Sequence, residues 1–354
     1  MSSKRSVVKI IDYVFQNEGQ LTEAWDDSNS MRYLSEFDIT VVGRLNTPRP
    51  VTHLVEGTGY KYKVIFFPVG VSVPDIAHVI TNMKPNVIHM HGNHGWPSFP
   101  VYAGLFAAMN PRPYMIFSPA GTSCGTEGFL DYFDKIIVNH EMQIPRMRCN
   151  PYKVVVRRRA ADPAIFHPLN MHKSAELIYV AGFVPQKRID LMIDFSTSAN
   201  LRLMVLGDFS RTPEHYGQIR QLALNYPIGN VQLCDFVRQQ RVAEVLSLAS
   251  IFTWPNIKPE NPETTTNRSV IEALACGMPM LVGERAFKNT EFVVEGVNGF
   301  TYSGKGDFLE KAWTILRNRE EFSQGSTDLN RKNHDFRTHF VDFYRDLYSH
   351  GNTT

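Results

Sequence analysis

The chain has 354 residues, of which 43% are hydrophobic and 20% charged, with a formal net charge of +2. That composition excludes a disordered chain, and a balance so close to neutral by itself points to no nucleic-acid or membrane partner. The length exceeds most single hydrophobic cores and suits two domains of ordinary size.

In the first half, residues 7–15 form a near-continuous apolar run, the pattern of a parallel strand buried on both faces. A polar turn carrying Gly19 follows, and then a predicted helix over about 22–34. Strands are predicted over 38–42 and 62–68, a helix over 73–83 with Pro74 near its first position, and a strand over 86–90. That last strand ends in a loop holding His91, His94 and Trp96. A helix over about 101–109 and strands over 114–117, 135–138 and 153–156 complete this half. Alternating strands and helices indicate a doubly wound α/β sheet.

The pattern restarts after Lys173, with strands over 177–180, 202–206 and 231–234, helices after the first two, and a helix over 242–249. The apolar run 251–254 then ends in a polar loop, where Thr264, Thr265, Thr266 and Asn267 are all good helix caps. The helix they open has Val270, Ile271, Leu274 and Ala275 on its buried side, and Gly277 stops it two residues before Pro279. Residues 280–282 suit a buried strand, and helical segments including 308–317 and 336–348 finish the chain. A strand, a polar loop and a helix N-terminus make a ready anion site, because free N–H groups and the helix dipole point at what binds there. Glu272, one turn into that helix, is either a solvent-facing carboxylate or an acceptor for sugar hydroxyls.

Residues 272–279 (Glu-Ala-Leu-Ala-Cys-Gly-Met-Pro), with the run 291–301 after them, resemble the donor-site signature of GT-B glycosyltransferases, the family-four group in particular. The resemblance implies the GT-B fold: α/β, with two Rossmann-like domains facing a central cleft. Residues 1–170 would form the acceptor-side domain, with 336–354 packing back on it, and 171–335 the nucleotide-sugar donor domain. Glu272 matches the family's ribose-holding glutamate. The family's first glutamate falls at Thr264, so Glu263 beside it is the expected sugar contact, given a one-residue loop insertion. Amides around Thr264, Thr265 and Thr266 would help to hold the diphosphate.

Residues 180–190 resemble the family's phosphate-binding segment, with Lys187 at its lysine and Asp190 at its aspartate. Its arginine position is Gly182, and Arg188 stands where the family has glycine. The implied role of Lys187, joined by Arg188, is to stabilise the departing diphosphate, since a preorganised cation acts most strongly where negative charge develops. By pattern alone, the same pair is a solvated helix start. Gly207 matches the family's second-strand glycine turn, and Phe236 lies in the stretch resembling its base-bracketing loop; both follow strand carboxyl ends, where open α/β sheets bind ligands.

The first half is less specific. His89 alternates into its strand as a packed residue, while His91 and His94 are the candidates to enter the cleft as catalytic groups. The family's next strand-end histidine is replaced here by Ala120-Gly121. The i, i+2, i+5 spacing of the three histidines, without a nearby carboxylate or cysteine, argues against a metal. Gly19 is the one candidate where relatives carry a glycine pair at the donor phosphates. Arg157, Arg158 and Arg159 are either surface or interdomain residues or, with Trp96, contacts to an acceptor.

The resemblance implies transfer of a sugar from a nucleotide-diphosphate sugar to an acceptor hydroxyl, with retention and with no metal or resident cofactor. The acceptor classes that fit are a glycan, a lipid, or a modified DNA base reached by flipping the nucleotide. Transfer to DNA, sugar-nucleotide epimerisation and non-catalytic sugar-nucleotide binding are the alternatives. The four cysteines, Cys124, Cys149, Cys234 and Cys276, stand far apart with no Cys-x-x-Cys pair. With no apolar stretch between the charged opening residues and the first strand, and no long apolar run after it, this spacing leads to the expectation of a reducing, cytoplasmic setting.

Overall fold

The structure is a computed structural model that describes residues 4–15, 30–57, 60–92, 97–119, 128–209, 212–227, 229–235, 237–255, 268–287 and 291–350. The chain divides into two compact units, Met1–Arg158 with Arg337–Thr354, and Arg159–Phe336. The division falls at 158/159 rather than at 170, because Ala161 and Phe166 belong to the second unit's core.

The first unit is built on β1 (Arg5–Phe15), β2 (Phe37–Leu45), β3 (Val51–Gly57), β4 (Tyr60–Pro68), β5 (Val87–Gly92), β6 (Tyr114–Pro119), β7 (Lys135–Val138) and β8 (Val154–Val156). Their order in the sheet is β3-β4-β2-β1-β5-β6-β7-β8. All neighbours are parallel except β3, which runs antiparallel to β4 at the edge. Sequence periodicity did not predict β3: Leu54, which should point inward in an alternating strand, is 50% exposed. The helix Val73–Asn82 starts where expected, since Ser72 Oγ accepts from the Asp75 amide at 3.2 Å and Pro74 occupies the first turn. It buries Ile76, Ala77 and Ile80 in the same core as Val8, Ile88, Phe99 and Phe117. Each such large side chain contributes roughly 1.5–3 kcal/mol on burial.

Two charged or titratable residues interrupt this apolar interior. Lys9 on β1 and His89 on β5 are register partners, and both are fully buried. The end of the chain covers them: a π-helical turn, Arg337–Asp342, leads into the helix Phe343–Ser349. His89 Nδ1 lies 2.9 Å from the Tyr348 hydroxyl and its Nε2 2.7 Å from Ser118 Oγ. The Lys9 ammonium sits 5.8 Å from the centre of the Tyr344 ring. Buried polar groups of this kind persist only when hydrogen-bonded, so this cluster fixes the terminal helix as part of the first unit.

The second unit carries β9 (Ala175–Val180), β10 (Leu203–Leu206), β11 (Val231–Cys234), β12 (Ala249–Trp254), β13 (Met280–Gly283) and β14 (Gly299–Tyr302). All are parallel, in the order β11-β10-β9-β12-β13-β14. This is the strand order of a dinucleotide-binding fold, with the chain direction across the sheet reversing between β9 and β12. Neither β14 nor the helix Arg319–Asn333 was among the predicted elements. β14 is four residues long, and the helix buries only Phe322 and Ser326, so neither has a strong apolar pattern. Among the described residues no helix is long and apolar enough to cross a membrane, and Cys149, Cys234 and Cys276 form no disulfide.

Candidate donor-binding site

The carboxyl ends of β9 and β12, at Val180 and Trp254, border the switch point of the second sheet, where open α/β sheets take their ligands. After β9 the chain makes a 3-10 turn, Pro185–Lys187, before the helix Ile189–Ser198. Lys187 is held at both ends. Its carbonyl accepts from the buried Tyr179 hydroxyl at 2.8 Å, and its ammonium lies 4.9 Å from the centre of the Trp254 ring. Trp254 is 5% exposed and packs edge-on against Tyr179 at 5.3 Å. A cation over a desolvated indole face is attracted by about 1–2 kcal/mol, which limits where the ammonium goes. The aromatic platform was not among the sequence expectations, since it comes from a strand 67 positions later.

Arg188 has φ 45° and ψ 48°, the left-handed region that favours glycine. That geometry accounts for the glycine in the family pattern at this position. Arg188 is also bound to Asp190, with Nε 3.0 Å from Oδ1 and Nη2 2.8 Å from Oδ2. Burial alone would raise the Asp190 carboxyl, but the Arg188 hydrogen bonds and charge outweigh it and hold the group below its ordinary value. Arg188 is thus engaged at the helix start, while the Lys187 ammonium lies at Trp254, at the carboxyl end of β12.

The helix after β12 covers Arg268–Ala275, and every residue from Ser269 to Ala275 is buried. Glu272 is 7% exposed, which excludes the solvent-facing reading. Arg268, one turn earlier, donates from Nε to Glu272 Oε1 at 2.8 Å. A buried carboxylate is costly unless it is paired and hydrogen-bonded, and Arg268 supplies that partner. Arg268 was missed by sequence reasoning, although its i, i+4 spacing from Glu272 was there to read. The helix stops as predicted: Gly277 has φ 67°, its amide bonds to the Leu274 carbonyl and the next amide to Ala273.

The two glycines at the strand ends differ. A Cβ at Gly207 would lie 2.0 Å from the Ala181 carbonyl oxygen, so glycine is required there by the approach of the β9 and β10 ends. A Cβ at Gly182 would meet nothing within 4 Å, leaving its backbone open to a ligand. Beside them Phe209 stacks on Tyr216 at 4.0 Å, and Phe183 packs edge-on to both, an aromatic wall the sequence did not reveal.

Of the other candidates, Gly19, His94, Trp96, Phe236, Glu263, Thr264, Thr265 and Thr266 lie outside the described residues. His91 is half-buried near the end of β5, in register with Ser118 of β6. Arg157 turns onto the terminal segment, with Nη1 2.8 Å from the Tyr344 hydroxyl and its guanidinium over the Phe340 and Tyr344 rings. It therefore fastens the terminal helix within the first unit. The Arg159 carbonyl accepts from His334 Nδ1 at 3.0 Å in the second unit, and Arg158 is half-buried.

Residues 163–325 match the family described as glycosyl transferases group 1. An uncharacterized glycosyltransferase of Methanocaldococcus jannaschii is 23% identical over 145 residues, 40% of this chain; the match spans 38% of that relative's length. Among solved structures, sucrose-phosphate synthase from Thermosynechococcus elongatus superposes with a TM-score of 0.72 at 12% identity, over 98% of this chain and 100% of that one. Anabaena HepE in complex with UDP and glucose gives 0.65 at 12% identity, covering 98% and 100%. The pneumococcal O-GlcNAc transferase GtfA, in complex with UDP and GlcNAc, gives 0.66 at 8%, covering 99% and 100%. The two α/β units match GT-B glycosyltransferase structures over nearly the whole chain, and residues 163–325, within the second unit, match the group 1 glycosyl transferases, so the fold is GT-B.

Proposed function

We propose that this glycosyltransferase moves a sugar from a nucleoside-diphosphate sugar to an acceptor hydroxyl, with retention at the anomeric carbon and without a required metal. The carrying observation is the pairing of functions at one sheet end: Lys187 held over Trp254 at the close of β9, and Glu272 buried against Arg268 in the helix after β12. In this reading Glu272 accepts from the ribose hydroxyls, and Lys187 faces the diphosphate. The sugar–oxygen bond to the diphosphate breaks, the acceptor oxygen bonds to the same carbon, and the hydroxyl proton leaves with the diphosphate. An ammonium fixed before reaction stabilises the charge on the leaving group without reorganisation. Glu263 is assigned to the transferred sugar, the amides near Thr264 to the phosphates, and His91 or His94 to the acceptor side.

HepE and GtfA are complexes with UDP, which makes uridine donors the first to try. The purified protein is incubated with UDP-glucose and UDP-GlcNAc, and both melting temperature and UDP release are followed. A ligand bound to the folded state raises the melting temperature by mass action, by about 2.7 kcal/mol of stability at a hundredfold excess over Kd. The proposal expects such a shift with at least one nucleotide sugar, and UDP release that depends on an added acceptor. Absence of binding across uridine, guanosine and adenosine donors rules it out. Donor conversion without any acceptor replaces transfer with epimerisation.

A further inference from the structure

The second unit has a cavity at the amino ends of its central strands. Its volume is about 370 Å³, and it is lined by Lys173, Ser250, Gly277, Arg319, Glu320 and Thr327 among others. Ala249, at the start of β12, borders this cavity, whereas Trp254, at the end of the same strand, stacks against Lys187. Five residue steps at about 3.3 Å each place the two some 17 Å apart. The cavity is therefore separate from the donor-binding end.

Its charge is unbalanced. Among the described residues Arg319 makes no ion pair or hydrogen bond, and the Lys173 ammonium donates only to the Ser247 carbonyl, at 2.7 Å. Burial, and then the charge of Arg319, hold the Lys173 ammonium below its ordinary value, so the two cations are close enough to repel. Glu320 lines the cavity as well but is exposed and pairs with neither. Arg319 also opens the 15-residue helix Arg319–Asn333, whose first two turns form one wall and whose positive end faces the same space. The carbonyls that would oppose an anion at the end of the helix Arg268–Ala275 are occupied. Ser323 Oγ donates to the Gly277 carbonyl at 2.5 Å, and Ser326 Oγ to the Met278 carbonyl at 2.6 Å. The volume exceeds a bare ion and falls within the roughly 300–1,000 Å³ of small-molecule pockets. Cys276 also borders the cavity, but burial pushes its thiol up to about 12, so it takes no part as a nucleophile.

We infer that this cavity is a second ligand site, built for a small phosphate monoester whose dianion bridges Lys173 and Arg319. The test is calorimetric titration of the intact protein with inorganic phosphate and with glucose 6-phosphate, at constant ionic strength in chloride. The wild type is compared with Arg319→Gln, Lys173→Met and, as the control for the donor end, Lys187→Ala. Arg319→Gln breaks no ion pair or side-chain hydrogen bond among the described residues and relieves repulsion on Lys173, so its melting temperature is expected to equal or exceed that of the wild type. Loss of either cation at the cavity weakens binding at least about tenfold, and Lys187→Ala leaves it unchanged, if the phosphate sits between them. Tighter binding of the sugar phosphate than of inorganic phosphate assigns the rest of the cavity to the ester's body. Equal affinity in the wild type and Arg319→Gln overturns the inference. So does binding lost only in Lys187→Ala, or wild-type affinity weaker than about 10 mM for both probes.

Discussion

The two units place their polar side chains differently. In the first, Lys9 and His89 sit side by side within adjacent strands, and Tyr344, Tyr348 and Ser118 answer them. In the second, the strand centres are apolar, as in Leu203–Leu206, and the charged groups Lys187 and Glu272 lie beyond strand ends or in a helix that follows one. A charge in mid-strand is out of reach of a ligand and works as a fastener, whereas one past a strand's carboxyl end borders the place where ligands bind. Position along the strand separates the two uses better than residue type does.

The largest effect that tests this contrast is on turnover. Lys187→Ala is expected to lower transfer by about 10²–10³-fold, the range seen when a preorganised electrostatic group is removed, with little change in melting temperature. Comparable loss from a first-unit change that leaves the fold intact would break the comparison. Next, Tyr348→Phe removes the hydroxyl from His89 Nδ1 and leaves a buried ring nitrogen unsatisfied, a cost of about 1–3 kcal/mol. Thermal or urea unfolding should register that cost while nucleotide affinity stays the same. Gly207→Ala, whose methyl meets the Ala181 oxygen, should cost about 1–3 kcal/mol as strand ends part, and should also weaken donor binding because those ends border the switch point. Unchanged unfolding in that variant removes the close approach as glycine's reason.

The smallest effect concerns a partly exposed ion pair of the second unit, between Glu176 and Arg202. Burial would raise the Glu176 carboxyl, but hydrogen bonds from the Arg202 side chain and amide outweigh it and hold the group below its ordinary value. The stability it adds is present above the ordinary carboxylate pKa and is lost as pH falls through the depressed folded value. Because the pair is partly exposed, Glu176→Gln should cost under about 1 kcal/mol near neutral pH, and the difference from wild type should vanish in acid. A gap that persists there assigns the effect to packing instead.

Much of the second unit was legible because local pattern and tertiary role agree. Val270, Ile271, Leu274 and Ala275 are apolar and buried, Gly277 takes the left-handed angle its place after a helix predicts, and Lys187 follows a buried strand. What escaped depends on partners distant in sequence or on exposed surfaces. In β3 the leucine, Leu54, is half exposed. Trp254 acquires its meaning only through Lys187, and the pairing of His89 with Tyr348 joins residues 259 positions apart. Arg157 illustrates the ambiguity of charge in a sequence: three consecutive arginines suggest a surface patch, yet the first lies over two aromatic rings.

The return of the chain to its first unit has a consequence for biosynthesis. Residues 159–336 form an uninterrupted body, whereas the cover for Lys9 and His89 is translated after all of it. At about 5–20 residues per second, that leaves the buried lysine and histidine wet for on the order of ten seconds or more. The half of the protein made first is thus the half completed last, and a premature stop near codon 340 would damage the opposite end of the polypeptide from the one it shortens.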